Sequence, residues 1–174
     1  MLKFSSALKF TAVAAVLALA ACTTKPKPTE EAPPVAPSGA TSQPMIQSSV
    51  VPGSIQDFRV NVGDTIHFAY NKYDIGDEDK GILQRQSEWL QRYPQIRVTV
   101  EGHSDERGTR EYNLALGARR ANSVKEYLVS LGVSAARVDT ISYGKERPIC
   151  TESDESCWAQ NRRGVTTIVS GATS

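Results

Sequence analysis

Beyond about Ser54, the apolar positions of this chain switch repeatedly between a period of two and a period near 3.6. Thr65 to Tyr70 reads TIHFAY: Ile66, Phe68 and Tyr70 alternate with Thr65, His67 and Ala69, the pattern of a half-buried strand. Asp74 to Asp77 offers helix-capping chemistry, and Asp77, Glu78 and Asp79 suit the positive end of a helix dipole. Ile82, Leu83, Gln86, Trp89, Leu90 and Tyr93 then trace one helix face, ended by Pro94. Ile96, Val98 and Val100 form the inward side of a second strand. From about Arg110 to Leu131, Leu114, Gly117, Ala118, Ala121, Val124, Leu128 and Leu131 recur at helical spacing, and Gly132 closes the element. Val138 to Tyr143 reads as a third strand, Trp158 to Arg163 as a short helix, and Val165 to Val169 as a fourth strand. The expectation is an α/β (α+β) sandwich of order β-α-β-α-β-β, with one small mixed four-stranded sheet packed against helices.

The front of the chain follows other rules. Lys3 and Lys9 precede an uncharged run from Phe10 to Ala20, too short and Ala-rich for a stable membrane span. It ends in Leu19-Ala20-Ala21-Cys22, which resembles the lipobox of bacterial lipoproteins. That resemblance implies a signal peptide over 1–21, cleavage before Cys22, and acylation of Cys22. Thr23 in place of an acidic residue then implies the outer membrane. Residues 22–53 hold seven of the nine prolines and few large apolar side chains, so they read as an extended tether. At ~3.1 Å per residue such a segment reaches at most roughly 90 Å. The folded domain is expected over 54–174.

Without Lys3 and Lys9, 18 basic residues face 19 acidic ones, which excludes the strong basic excess of nucleic-acid binders. Export implies an oxidising compartment. Cys150 and Cys157 lie seven apart in a polar loop, where a local disulfide and a metal pair are both open. The metal reading is the weaker, because His67 and His103 do not complete four ligands at a familiar spacing. No cofactor is expected.

Candidate chemistry concentrates in VEGHSDERGTREYNLALGARRANSVKEYLV, Val100 to Val129. Asp105 sits on the loop that leaves a strand, and Arg120 on the helix that follows. An acid and a guanidinium so placed can grip a zwitterion, ammonium on one side and carboxylate on the other. Helical phase puts Asn113, Leu116 and Arg120 on one stripe, bordering the buried one, and turns Arg119 elsewhere. Asp105 is the natural counter-charge of Arg120, so a plain structural ion pair competes with a binding site. A His103-Ser104-Asp105 triad is disfavoured, since consecutive residues do not converge and no glycine pattern surrounds Ser104. No catalytic residues are expected.

Four segments then match in order: FAYNKYDI (Phe68 to Ile75), the loop and helix from Val100 to Leu128, YGKERP (Tyr143 to Pro148) and NRRG (Asn161 to Gly164). Together they resemble the OmpA-like peptidoglycan-binding domain, in its peptidoglycan-associated lipoprotein branch, over nearly all of 60–170. The resemblance implies non-covalent binding to the meso-diaminopimelate of the cell-wall stem peptide. It places the ligand's ammonium on Asp105 and its carboxylate on Arg120, with Asn113 and Leu116 beside them and Phe68 as the floor. Asn71 stands where many members have Asp, and Arg163, rather than Arg162, is expected nearer the pocket. Gly164 departs from the family's usual Ala. The partners implied are peptidoglycan, TolB and other Tol proteins, and the outer membrane through the lipid, in the Tol-Pal system that supports division.

Overall fold

The computed structural model describes residues 50–173; the signal-like segment, Cys22 and nearly all of the expected tether lie outside the described residues. Pro52 and Gly53, read as tether, are tied into the domain, because Thr173 donates to both of their carbonyls. Ser54 caps a short helix, α1 (Ile55–Asp57), which continues as a wider π-type turn, Phe58–Val62, and stops at Gly63 with φ +91°. The sequence pattern had not revealed this element. Its purpose is packing: Phe58 is buried with its ring 4.8 Å from that of Trp89, whose indole N–H donates to Asp57.

Four strands and three α-helices follow: β1 (Thr65–His67), α2 (Asp77–Arg92), β2 (Arg97–His103), α3 (Arg110–Ser130), β3 (Val138–Gly144), α4 (Glu155–Asn161) and β4 (Arg163–Ser170). The sheet order is β1-β4-β2-β3, with β2 and β3 parallel and β4 antiparallel to both of its neighbours. This is the mixed four-stranded sheet expected, with α2 and α3 against one face. Val98, Val100 and Val138 of the sheet meet Leu83, Leu90, Val124 and Leu128 of the helices in one core.

Two sequence expectations change here. The first strand ends at His67 rather than Tyr70. Phe68 still donates to Arg162 O (2.9 Å), but the chain then turns away, and Tyr70 is exposed instead of facing the core. The turn places Asn71 at φ +55°, a left-handed conformation that Asn tolerates better than most residues. Helix α2 begins at Gly76 without a side-chain cap; Asp79 instead accepts from the His67 amide at the sheet edge.

Helix α3 carries the larger correction. Its buried stripe is Asn113, Leu116, Gly117, Arg120, Ala121, Val124 and Leu128, whereas Ala118 is exposed. The polar stripe expected to border the core is inside it. Gly117 makes the shift possible by meeting Gly102 of β2 backbone to backbone, where neither position has room for a Cβ. That contact draws the first half of α3 down onto the end of β2.

Candidate functional site

Because β2 ends beneath the first turns of α3, the loop between them closes over a small cleft of about 120 Å³. Asp105 and Arg107 of the loop, Asn113, Leu116 and Arg120 of α3, and Tyr70 and Asn71 of the turn after β1 all line it. Four sequence candidates therefore line one cleft with Asn71. Phe68 does not line the cleft; its ring lies 5.1 Å from the Arg120 guanidinium and supports it from the core side. A Cβ at Gly164 would stand 3.3 Å from both Phe68 and Val124, so Gly keeps this support relaxed.

Arg120 is fully buried and makes neither a hydrogen bond nor an ion pair with Asp105, which sets aside the plain structural ion pair that competed with a binding site. Its Nε donates to Lys72 O (2.8 Å), Nη1 to His103 O (2.7 Å) and Nη2 to Ala69 O (3.2 Å). A guanidinium has five N–H donors, so each terminal nitrogen keeps one unspent. Burial lowers its pKa to about 10, with attraction to Asp105 opposing, and it stays cationic at neutral pH. Arg137 offers a contrast. It also collects three carbonyls, those of Leu90, Tyr93 and Ile96, but through Nε and Nη2 alone, as a clamp on the α2–β2 turn. Arg120 differs in lining a cleft with a desolvated charge that no carboxylate among the described residues touches, which is costly unless an anion arrives.

Asp105 is held by other arginines. Arg107 donates its backbone N–H (3.1 Å) and Nε (3.2 Å) to Oδ1 and Nη2 (2.6 Å) to Oδ2, an Asx turn closed by its own guanidinium. Arg162 adds Nη1 at 3.5 Å. Burial alone would raise the carboxyl, but the Arg107 hydrogen bonds, with that of Arg162, hold it below the usual carboxylate range. Arg162, not Arg163, is thus the arginine against the site. Arg163 donates to Asn161 O and Arg147 O, because it starts β4 opposite His67 and projects to the far side of the sheet. Asn113 is buried and spends its amide on Arg107 O (2.9 Å) and Thr109 O (3.0 Å), so it fixes the loop. Tyr112 donates to Asn71 Oδ1 across the mouth.

Sequence reasoning missed Arg107, Tyr70, Tyr112 and the contribution of α4. The Arg107 guanidinium lies between the rings of Tyr70 (4.1 Å) and Trp158 (4.0 Å) and reaches Glu155 at 3.6 Å. Only the position of Arg107 two residues after an Asp hinted at this. The Cys150 and Cys157 sulfurs are joined, with Cα atoms 5.2 Å apart, so the loop before α4 is closed on that helix. Among the described residues no three His, Cys, Asp or Glu side chains converge as a metal site.

His103, Ser104 and Asp105 make no hydrogen bonds to one another. Ser104 Oγ donates to Asn113 O, and both ring nitrogens of His103 are buried without hydrogen-bond partners. Glu101 Oε2 stands 3.5 Å from Nε2 without the geometry of a bond. Burial, then Arg163 and Arg147, lowers the His103 pKa from 6.5 to about 4. The unfolded chain therefore takes up this proton first as pH falls. Stability present above pH 6.5 is expected to decline towards pH 4, by up to about 3 kcal/mol. Urea unfolding of wild type and His103→Phe across that range checks this; an equally steep decline in both would assign the pH dependence elsewhere.

Residues 67–162 match the model of the OmpA family. The chain is 51% identical to the peptidoglycan-associated lipoprotein of Agrobacterium fabrum over 90% of this chain and 85% of that one. The crystal structure of the peptidoglycan-associated lipoprotein from Burkholderia pseudomallei superposes with a TM-score of 0.60 at 40% identity, covering 61% of this chain and 90% of that one. The C-terminal domain of Helicobacter pylori MotB shares the fold, with a TM-score of 0.58 at 22% identity over 62% and 84% of the two chains.

Proposed function

Since this chain belongs to the OmpA family, and within it to the peptidoglycan-associated lipoproteins, we propose that its cleft holds peptidoglycan by the zwitterionic end of a diaminopimelate side chain. The observation that carries the reading is Arg120: a buried guanidinium with two unspent N–H donors and no carboxylate in contact, open to a cleft that also contains Asp105. A carboxylate would accept those donors as a bidentate pair. The ammonium on the same carbon then falls to Asp105, with Asn71 and Tyr112 at the mouth. In this reading Cys22 carries the lipid, the segment 22–53 spans from the outer membrane to the wall, and the domain works in the periplasm. No helix among the described residues is long and apolar enough to cross a membrane. Exchange with TolB and other Tol proteins during division belongs to the same reading, and no catalytic step does.

Lysine is diaminopimelate without the terminal carboxylate, which makes the test direct. The full chain is expected to sediment with sacculi cross-linked through diaminopimelate and not with lysine-type sacculi. Asp105→Ala should weaken the first binding by at least about tenfold, because the ligand ammonium loses its acceptor. Equal sedimentation with both wall types would sink the proposal. TolB binding that survives Asp105→Ala would assign the two partners to separate surfaces.

A further inference from the structure

The free site poses a problem for any ammonium ligand, because Asp105 is already full. A carboxylate offers about four lone-pair positions. Oδ1 accepts the Arg107 backbone N–H and Nε, and Oδ2 accepts Arg107 Nη2 and Arg162 Nη1. A ligand ammonium can bond there only when one donor leaves. Arg162 is poorly placed to do so: it is buried, with Nε on Phe68 O (2.9 Å) and Nη2 on Glu155 (2.6 Å). The Arg107 side chain is 29% exposed and lines the cleft; apart from Asp105 it is held by the rings of Tyr70 and Trp158 and by a longer ion pair to Glu155 (3.6 Å), so it is the donor better placed to leave.

We propose that Arg107 is a specificity-determining residue, an internal cation that occupies Asp105 until a zwitterion displaces it by engaging Arg120 at the same time. The inference rests on the ligand reading above. A ligand bearing only an ammonium exchanges one cation for another at Asp105 and forfeits two aromatic stacks, so it gains nothing. A ligand that also bears a carboxylate supplies the counter-charge that Arg120 lacks, and that second contact drives the exchange. Discrimination against simple amines is then built into the protein by a competitor, in addition to any attraction for the right ligand.

The experiment is calorimetric titration of the full chain with two synthetic stem peptides that differ only in ending their side chain as diaminopimelate or as lysine. Wild type is expected to bind the first and reject the second. Arg107→Gln should narrow the ratio of the two affinities by about tenfold or more, chiefly through stronger lysine-peptide binding, while Arg107→Lys restores the competitor and most of the ratio. Loss of diaminopimelate-peptide binding in Arg107→Gln with near-ultraviolet circular dichroism unchanged would overturn the proposal, since Arg107 would then be a ligand contact. An unchanged ratio would overturn it as well. Failure of wild type to bind the diaminopimelate peptide would instead remove the ligand reading beneath it. Wild-type fluorescence gives a readout that needs no variant: displacement uncovers the Trp158 ring, whereas the other tryptophan, Trp89, stays packed between Phe58 and Tyr93. Emission should change on saturation, and constant emission at saturation contradicts displacement.

Discussion

Arg120→Met is expected to abolish sedimentation with diaminopimelate-type sacculi. The substitution removes the two unspent donors and the one buried guanidinium lining the cleft that touches no carboxylate among the described residues. A lost partner in a desolvated charge contact costs about 2–5 kcal/mol, a factor on the order of 30 to 5,000 in affinity. The fold should suffer less, by about 1–3 kcal/mol. The bonds to Lys72 O and Ala69 O are only partly buried, so water can replace the lost donors, whereas the bond to His103 O is buried and its carbonyl loses a partner. Removal of the buried charge offsets part of that loss. Arg120→Lys should fail almost as badly, because one ammonium cannot reproduce the fork that meets three carbonyls and a carboxylate together. Parallel sedimentation and urea unfolding separate the two effects. A variant that still sediments like wild type would remove Arg120 from the site.

The largest expected loss of stability comes from Gly102→Ala, a change of one methyl group in the sheet. The added Cβ would overlap the carbonyl oxygen of Gly117 and stand 2.6 Å from its carbonyl carbon. Both atoms belong to the backbone of α3, so no side-chain rotation relieves the clash. The helix must lift off β2, at a cost of about 3 kcal/mol or more. Because α3 carries Asn113, Leu116 and Arg120, a chain that still folds should also bind its ligand poorly. Gly81→Ala in α2 is the control. Its Cβ meets only the end of Arg85, at 3.9 Å, and the change should stabilise by up to about 1 kcal/mol. Urea midpoints of the two variants decide the matter; a Gly102→Ala midpoint close to wild type would mean that the helix and strand are not in tight contact.

The order of strands and helices, the closing Gly132 and the core positions of α2 were legible because each depends on local periodicity and local turn chemistry. Helix α3 was misphased for an instructive reason. A hydrophobicity pattern assigns Asn113 and Arg120 to the border and Ala118 to the interior. In the structure the two polar side chains are buried, because three carbonyls from two other segments accept from the guanidinium and the Asn113 amide closes the loop. Arg162 and Arg163 could not be told apart beforehand either. Adjacent residues at the start of a strand point to opposite faces, and only the pairing of β4 with β1 decides which faces the cleft. Arg107 escaped notice because its two stacking partners come from the turn after β1 and from α4.

By itself, the sequence determined where the chemistry lies: an acidic loop leading into a helix with Asn113 and Arg120 in phase, and the family motif that joins them. Tertiary structure alone decided how the charges are partnered. Asp105 belongs to Arg107 and to Arg162, 57 residues away, while Arg120 takes a carbonyl 48 residues distant and keeps no acid of its own. The physical reason is range. Helical and strand periodicity act over a few residues and survive in the linear pattern. Which cation reaches which carboxylate depends on where the sheet and the Gly102–Gly117 contact bring distant segments together. The pair that the sequence suggested is therefore split: the acid is partnered by other arginines, and the guanidinium meets carbonyls and no acid among the described residues.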